Sequence, residues 1–221
     1  MRKQNAYTIQ DDIFMDALAL LEAHFQGIPH AIVGGAAVQI YVAAVVIKTG
    51  QANSVNALNG LSFALRRTGD IDVSFDGDPA ALVSAFNLVI AQAAPPYALH
   101  SFPKRFIIQD GARRLNINYQ IESADLKGIP AYYHDIIHTA VTVTLPHQHR
   151  LLSLKLAKPE YLIASKLTRV KPKDQIDMML LLKAMESAQY PFDAEEVRSI
   201  LKSVDKGEQY DILAELMESS G

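Results

Sequence analysis

The fold is decided by one stretch about a third of the way along the chain, Arg66-Arg67-Thr68-Gly69-Asp70-Ile71-Asp72-Val73-Ser74-Phe75. Apolar Ile71, Val73 and Phe75 alternate with polar residues, and this period of two predicts a half-buried β-strand. Residues two apart in a strand point to the same face, with Cα atoms roughly 6.5–7 Å apart, so Asp70 and Asp72 project together. Two carboxylates at that spacing repel each other and suit hard cations, which prefer oxygen ligands.

A glycine turn lies upstream of this stretch, within His30-Ala31-Ile32-Val33-Gly34-Gly35-Ala36-Ala37-Val38. The pattern predicts a short strand, a turn and the start of a helix. Glycine backbone at a helix N-terminus approaches phosphate closely and offers free N–H donors. The turn matches neither the G-x-G-x-x-G pattern of dinucleotide-binding folds nor the G-x-x-x-x-G-K-[ST] pattern of P-loops. Gly34 and Gly35 are therefore candidates for a phosphate contact outside those two classes.

The glycine turn (residues 34–38) and the acidic stretch (residues 66–73) together resemble motifs of the nucleotidyltransferase superfamily, which has a DNA polymerase β-like core. More narrowly, the R-x-T-x-D-I-D pattern of residues 66–72 is similar to the abortive-infection nucleotidyltransferase family, whose members include toxins of toxin–antitoxin pairs. Two later segments resemble that family's S-K-L and K-D-x-x-D motifs, Ala164-Ser165-Lys166-Leu167 and Lys173-Asp174-Gln175-Ile176-Asp177.

The resemblance implies two-metal transfer of a nucleoside monophosphate from an NTP to an unknown acceptor (RNA, protein or a small molecule), with Mg²⁺ or Mn²⁺ as cofactor. Asp70 and Asp72 would be catalytic metal ligands, and Asp174 would position the acceptor or act as the base. The implied nucleotide-binding residues are Gly34, Gly35, Arg66, Thr68 and Lys166. A toxin of this family would also have an antitoxin protein as its partner.

The family pattern asks for a third acid on a neighbouring strand, and this chain has amides there. The predicted strand over residues 114–122 has a polar face formed by Asn116, Asn118, Gln120 and Glu122. An amide oxygen can coordinate a cation, but it carries no negative charge and cannot act as a general base. Two interpretations follow. Either Asp174 or Glu122 replaces the strand acid in an active enzyme, or the protein is a catalytically degenerate module that binds a nucleotide or a partner.

Three further groups of residues have two interpretations each. Asp174 and Asp177 share a helix face, and acids in a first helical turn also suit the helix dipole without any catalytic role. His147 and His149 would share a face if extended, but two histidines without a third ligand indicate a solvated pair. Six basic residues either converge on phosphate or are scattered surface charge, namely Arg66, Arg67, Lys166, Arg169, Lys171 and Lys173.

The composition is that of a packed globular protein. Of 221 residues, 49% are hydrophobic and 20% are charged, and the net charge of −3 gives no general attraction to nucleic acid or membrane. The chain has no cysteine, which excludes a disulfide framework and a thiolate metal site. No apolar segment follows the basic start, and the longest apolar run, residues 36–47, is too short to span a bilayer. We therefore predict a soluble, cytoplasmic protein.

The order of predicted elements gives an α+β fold, a nucleotidyltransferase-like mixed sheet flanked by helices with a C-terminal helical bundle. Besides the acidic strand, we expect strands at 32–33, 105–109, 114–122, 140–145 and 150–157, and helices at 11–26, 36–48 and 80–94. From Pro159 the chain becomes helical, with helices over 160–170, 173–187, 193–204 and 208–219. The expected domains are an α/β core of residues 1–158 and a helical region of residues 159–221.

Overall fold

A computed structural model describes residues 7–25, 27–51, 67–92, 97–121 and 132–220 of the chain. The strands in these ranges are β1 His30–Val33, β2 Asp70–Phe75, β3 Ala98–Phe102, β4 Arg105–Asp110, β5 Arg113–Ile121, β6 Val141–His147 and β7 Arg150–Leu156. They form one mixed sheet in the order β3-β4-β5-β2-β1-β7-β6. The sheet therefore has β2, the acidic strand, at its centre.

Helices flank this sheet and continue beyond it at the C-terminal end. They are α1 Asp12–Phe25, α2 Gly34–Lys48, α3 Pro79–Gln92, α4 Tyr132–His138, α5 Pro159–Leu167, α6 Pro172–Ser187, α7 Ala194–Ser203 and α8 Tyr210–Ser220. Among the described residues, none of these helices combines the length and apolar character needed to cross a bilayer. The α+β architecture predicted from the sequence is confirmed.

Strand β2 shows the alternation that the sequence predicts. Ile71, Val73 and Phe75 are buried, whereas Asp70 and Asp72 are only partly buried. Phe75 packs against Phe25 of α1, with ring centroids 5.5 Å apart. Burying each such side chain stabilises the fold by about 1.5–3 kcal/mol, so the apolar face of β2 fixes which way the carboxylates point.

The two neighbours of β2 determine what lies beside its carboxylates. Strand β1 pairs antiparallel with β2 and sets Val33 opposite Asp72. The glycine turn follows Val33 directly, so the prediction that this turn and the acidic strand lie side by side in one sheet is confirmed. Strand β5 pairs in parallel on the other side and sets Asn118 opposite Asp72.

Helix α2 is buried on most sides, as its apolar sequence predicts, and side-chain hydrogen bonds lock it in place. The Tyr41 hydroxyl donates to the Ala157 carbonyl oxygen at 2.9 Å. The Gln39 Oε1 atom accepts from the Ile9 backbone N–H at 2.9 Å. These bonds tie the first half of α2 to the segment before α1 and to the residue after β7.

The C-terminal helices begin and end close to the predicted positions. Asp193 caps α7, because its Oδ1 atom accepts from the backbone N–H groups of Glu195 and Glu196, each at 3.0 Å. Helix α6 packs against α2, and Leu181 of α6 belongs to the same hydrophobic core as Tyr41 of α2. A domain boundary near residue 158 stays a prediction.

Several local predictions differ from the structure. The sequence analysis missed β3, whose side chains are mostly exposed, and α4, which is only seven residues long. The last α-helix begins at Tyr210 because a 3₁₀ turn occupies Gly207–Gln209. His147 ends β6 and contacts Asp16, and the chain turns at residues 148–149, where Gln148 has a φ of +53°, so His147 and His149 do not lie on one extended strand. Arg66 and Glu122 lie outside the described residues.

Candidate active site

The carboxylates of Asp70 and Asp72 converge on one side chain of the neighbouring strand. The Asn118 Nδ2 atom donates to Asp70 Oδ2 at 2.9 Å and to Asp72 Oδ1 at 3.0 Å. The parallel pairing of β2 with β5 produces this arrangement, because it places Asn118 on the same face as both acids. A third oxygen-bearing side chain thus stands where a third acid was expected, and it is an amide.

The Asp72 carboxyl is electrostatically strained. Burial raises its pKa above the ordinary value, and the nearby negative charge of Asp70 raises the pKa further. The Asn118 hydrogen bond and the positive charges of Arg169 and Lys173 pull the pKa in the opposite direction. These groups offset only part of the negative charge of the two close carboxylates. A divalent cation bound between the carboxylates would balance the remainder.

Thr68, two residues before the start of β2, contacts Asp70. Its hydroxyl lies 3.3 Å from Asp70 Oδ1 and 3.3 Å from the Asp70 carbonyl oxygen, and Thr68 is itself buried. A backbone bridge to Tyr7 holds it there. Thr68 therefore orients the first carboxylate, and direct contact between Thr68 and a nucleotide stays a prediction.

The backbone of Gly34 lies close to the Asp72 carboxylate. Its φ is +68°, in the left-handed region that favours glycine, and a Cβ atom added there would lie 2.8 Å from Asp72 Oδ2. Val33, at the N-cap position of α2, has no side chain that could accept from the first N–H groups of the helix. The start of α2 thus offers donors directly beside Asp72.

We expect Gly34→Ala to destabilise the protein more than Gly50→Ala. Gly50 also has a positive φ, +73°, but nothing lies within 4 Å of an added Cβ there. Gly50→Ala should therefore cost only the backbone strain of about 1–2 kcal/mol. Gly34→Ala should cost about 1–3 kcal/mol more, because the methyl group overpacks against Asp72. Urea unfolding of both variants measures the difference, and equal losses would contradict the close approach.

A cleft of about 550 Å³ opens in front of Asp72 and Asn118. Its lining comes from the sheet, the start of α2, the turn between β3 and β4, Ile136 of α4, and α5 with the residues that follow it. Pockets of this size accommodate small ligands such as nucleotides. Its polar lining comprises Gly34, Asp72, Ser74, Lys104, Asn118, Gln120, Tyr161, Ser165, Thr168 and Arg169.

Lys166 and Asp174 occupy a buried ion-pair cluster between α5 and α6, and neither lines this cleft. Lys166 Nζ lies 2.6 Å from Asp177 Oδ2 and 3.6 Å from Asp174 Oδ1. All three side chains are at most 2% exposed. Arg169, half exposed at the cleft, completes the cluster through its Nε atom, 3.3 Å from Asp174 Oδ2. A role for Lys166 or Asp174 at a bound nucleotide stays a prediction.

No known family model matches this sequence, and no curated protein matches it. Among solved structures, an antigenic nucleotidyltransferase-like protein from Paracoccidioides brasiliensis resembles the chain over 96% of its length and 95% of that protein, with a TM-score of 0.53 and 14% identity. This chain has a nucleotidyltransferase-like fold. The antibiotic-resistance factor ANT(2'')-Ia gives a TM-score of 0.45 at 14% identity over 94% of this chain and 97% of that one. The Megavirus polyadenylate synthase gives 0.39 at 12% identity over 78% of this chain and 32% of that one.

Within the nucleotidyltransferase-like fold, two basic residues reach the cleft by different routes. Arg169 was among the predicted basic residues, and its position at the end of α5 brings it there. Lys104 was missed, because the turn that carries it joins β3, an unpredicted strand, to β4. The Phe102-Pro103-Lys104-Arg105 sequence carried a signal, since proline favours tight turns.

Proposed function

We propose that this protein binds an NTP with Mg²⁺ or Mn²⁺ and transfers the nucleoside monophosphate to an acceptor. The observation that carries the proposal is the convergence of Asp70 and Asp72 on Asn118, beside a cleft that is lined by Asp72, Asn118 and the start of α2. The nucleotidyltransferase-like fold supports it. The reaction requires that the protein bind a cation, bind the phosphates of the NTP and activate the acceptor.

The donor set fits a hard divalent cation. Asp70 and Asp72 present carboxylate oxygens towards a common point, and rotation of the Asn118 amide by half a turn would replace its N–H donor with an oxygen ligand. Oxygen ligands supplemented by water and phosphate are what Mg²⁺ prefers. When bound, the cation would neutralise charge on the transferred phosphate and on the leaving pyrophosphate.

The phosphates fit between the start of α2 and the end of α5. The free N–H groups at Gly34 and Gly35 and the positive end of the helix dipole favour an anion there. Arg169 and Lys104 also line the cleft and add positive charge to it. The Ser165 and Thr168 hydroxyls lie beside Arg169. They donate to the Leu162 and Ser165 carbonyl oxygens, so their oxygens are left to accept from a sugar hydroxyl.

Activation of the acceptor needs a base, and Asp174 is the candidate. Asp174 can serve as the base only after its ion pairs with Lys166 and Arg169 open, because its carboxylate is 1% exposed. Opening would also release Lys166 towards the phosphates. The resemblance to abortive-infection toxins supports a toxin role with an antitoxin protein as partner, and a small DNA-binding protein encoded beside this gene would add support.

The direct test incubates purified protein with each labelled NTP, Mg²⁺ or Mn²⁺, and separate pools of RNA, protein and small molecules. Labelled product in one pool identifies both the nucleotide and the acceptor class. Nucleotide binding by titration is measured in parallel. Absence of product with every NTP and pool, together with intact Mg²⁺-dependent binding, would favour the second candidate below.

The second candidate is a catalytically degenerate module of the same fold that binds a nucleotide or a partner protein. The observation favouring it is Asn118, which stands beside Asp72 where the resemblance asks for an acid. Such a module would keep the cleft and the two carboxylates but lack the charge needed to hold a second cation.

Asn118→Asp should make stability depend strongly on Mg²⁺. The substitution removes the amide donor shared by Asp70 and Asp72 and adds a third negative charge, so without metal we expect a loss of about 2–3 kcal/mol. Saturating Mg²⁺ should restore most of this loss. Urea unfolding in EDTA and in Mg²⁺ tests it, with Gln120→Glu as the control acid farther along the same face. A loss that Mg²⁺ leaves unchanged would argue against a cation site there.

A further inference from the structure

A second group of metal-ligating side chains lies at the opposite end of β2 from Asp70. Asp76 follows the last residue of β2, and His134 and His138 come from α4. One ligand atom from each of the three lies within 4.8 Å of the others. His138 Nε2 is 2.8 Å from Asp76 Oδ2, and the two imidazole centroids are 4.1 Å apart.

Local structure explains why these groups meet. Residues four apart in a helix lie one above the other on the same face, so α4 presents His134 and His138 together. Ile136 and Ile137 are 3% and 5% exposed and attach α4 to the rest of the molecule. Asp76 is fixed from the other side, because its backbone N–H donates to the Pro29 carbonyl oxygen at 2.9 Å.

We propose that Asp76, His134 and His138 form a three-ligand site for a divalent transition metal of the zinc class. Two imidazole nitrogens and one carboxylate oxygen are a typical zinc ligand set, with water in the fourth position. Mg²⁺ prefers oxygen ligands throughout, so this site is chemically distinct from the one at Asp70 and Asp72. His134 and His138 have three residues between them on one helix. The two zinc-binding histidines of an H-E-x-x-H helix have the same spacing.

The distances allow a metal without backbone rearrangement. Ligand atoms around tetrahedral zinc stand about 3.3 Å apart, given metal–ligand bonds of roughly 2.0–2.2 Å. The present separations reach at most 4.8 Å, so rotations of exposed side chains can close the site. A metal would bind a ring nitrogen of each histidine that carries no proton, so it would take the place between His138 Nε2 and Asp76 Oδ2 that a hydrogen bond now occupies.

A surface ion pair between His138 and Asp76 explains less of this cluster than a metal site does. It would account for the contact between His138 and Asp76, and pairs of this kind contribute little to stability. It would not require His134 to bring a ring nitrogen to the same place. The three-way convergence is what a metal site requires.

Metal binding at this site would also affect the cleft, because α4 contributes residues to both. Ile136 lines the cleft that contains Asp72 and Asn118, while His138 faces away from it towards the end of β2. A metal bridging Asp76 to both histidines would fasten α4 to the sheet and fix one wall of the cleft. Hydrogen exchange of residues 134–138 should therefore slow when zinc is added.

The test titrates Zn²⁺ into chelator-treated full-length protein, in millimolar Mg²⁺ to occupy the acidic site. We expect one zinc ion per chain, and a loss of affinity on the order of 100-fold or more in His134→Ala and in His138→Ala, since even outer-shell partners contribute 10- to 100-fold. Co²⁺ should give the absorption bands of a tetrahedral site in the unaltered protein. His149→Ala, which removes an exposed histidine in a turn, and Asp70→Asn should leave zinc binding unchanged.

His134 and His138 are exposed, so the variants should remain folded, and circular dichroism verifies this. Absence of stoichiometric zinc binding in the unaltered protein overturns the proposal. So does an affinity in His134→Ala equal to that of the unaltered protein, because a contact between His138 and Asp76 alone would then explain the cluster.

Discussion

Asp72→Asn should abolish most metal-dependent nucleotide transfer while leaving the protein at least as stable as before. We expect a fall in activity on the order of 10²- to 10³-fold, as is typical when one group that stabilises transition-state charge is lost. Mg²⁺-dependent affinity for the NTP should fall as well, because one of two carboxylates leaves the site. Transfer assays and calorimetric titration of NTP with and without Mg²⁺ measure both effects.

The free energy of unfolding should stay the same or rise in Asp72→Asn, although activity falls, for a physical reason. Burial and the charge of Asp70 both disfavour the ionised Asp72 carboxylate in the metal-free protein. An asparagine keeps the shape and an oxygen that accepts from Asn118, but removes the repulsion. Loss of function with retained or increased stability is the signature of a binding group rather than a packing group.

Asp211→Asn is the matched control, since Asp211 is an exposed acid in the first turn of α8. It should change neither transfer nor NTP affinity. If Asp72→Asn and Asp211→Asn bind NTP equally well in Mg²⁺, the carboxylates of β2 are structural and the proposed function fails. That result would leave the zinc proposal intact, because Asp76, His134 and His138 share no ligand with the cleft.

The strands with regular alternation were predictable from the sequence because their pattern encodes one buried and one polar face. The alternation of Ile71, Val73 and Phe75 led directly to the shared face of Asp70 and Asp72. Strand β3 lacks this pattern, since most of its side chains are exposed at the edge of the sheet. No periodicity argument could have found it, and Lys104 was missed for the same reason.

The candidate site was predictable only where local spacing determines it. The order of the motifs led to the expectation that the glycine turn and the acidic strand lie side by side in one sheet. The antiparallel pairing of β1 with β2, which sets Val33 opposite Asp72, was not predicted. The distance from Lys166 to Asp177 depends on how α5 packs against α6. A lysine on a helix is usually solvated, and nothing in the local sequence signals burial at 1% exposure.

Lys166→Met should destabilise the protein by about 3–5 kcal/mol, because it leaves Asp177 and Asp174 in the interior without their ammonium partner. For a chain of this size, that loss corresponds to a Tm lower by roughly 6–20 °C. Thermal and urea unfolding measure it. Lys183→Met, on the exposed side of α6, should stay within about 0.5 kcal/mol of the unaltered protein.

A double variant separates the ion pair from the lysine itself. Lys166→Met with Asp177→Leu replaces the closest pair by apolar side chains, and such replacements are often neutral or stabilising. Asp174 keeps its contact with Arg169, so most of the lost stability should return. If instead Lys166→Met alone retains full stability but loses NTP affinity, the ammonium group acts on the nucleotide. The cluster must then open when the substrate binds, which is also what the proposed role of Asp174 requires.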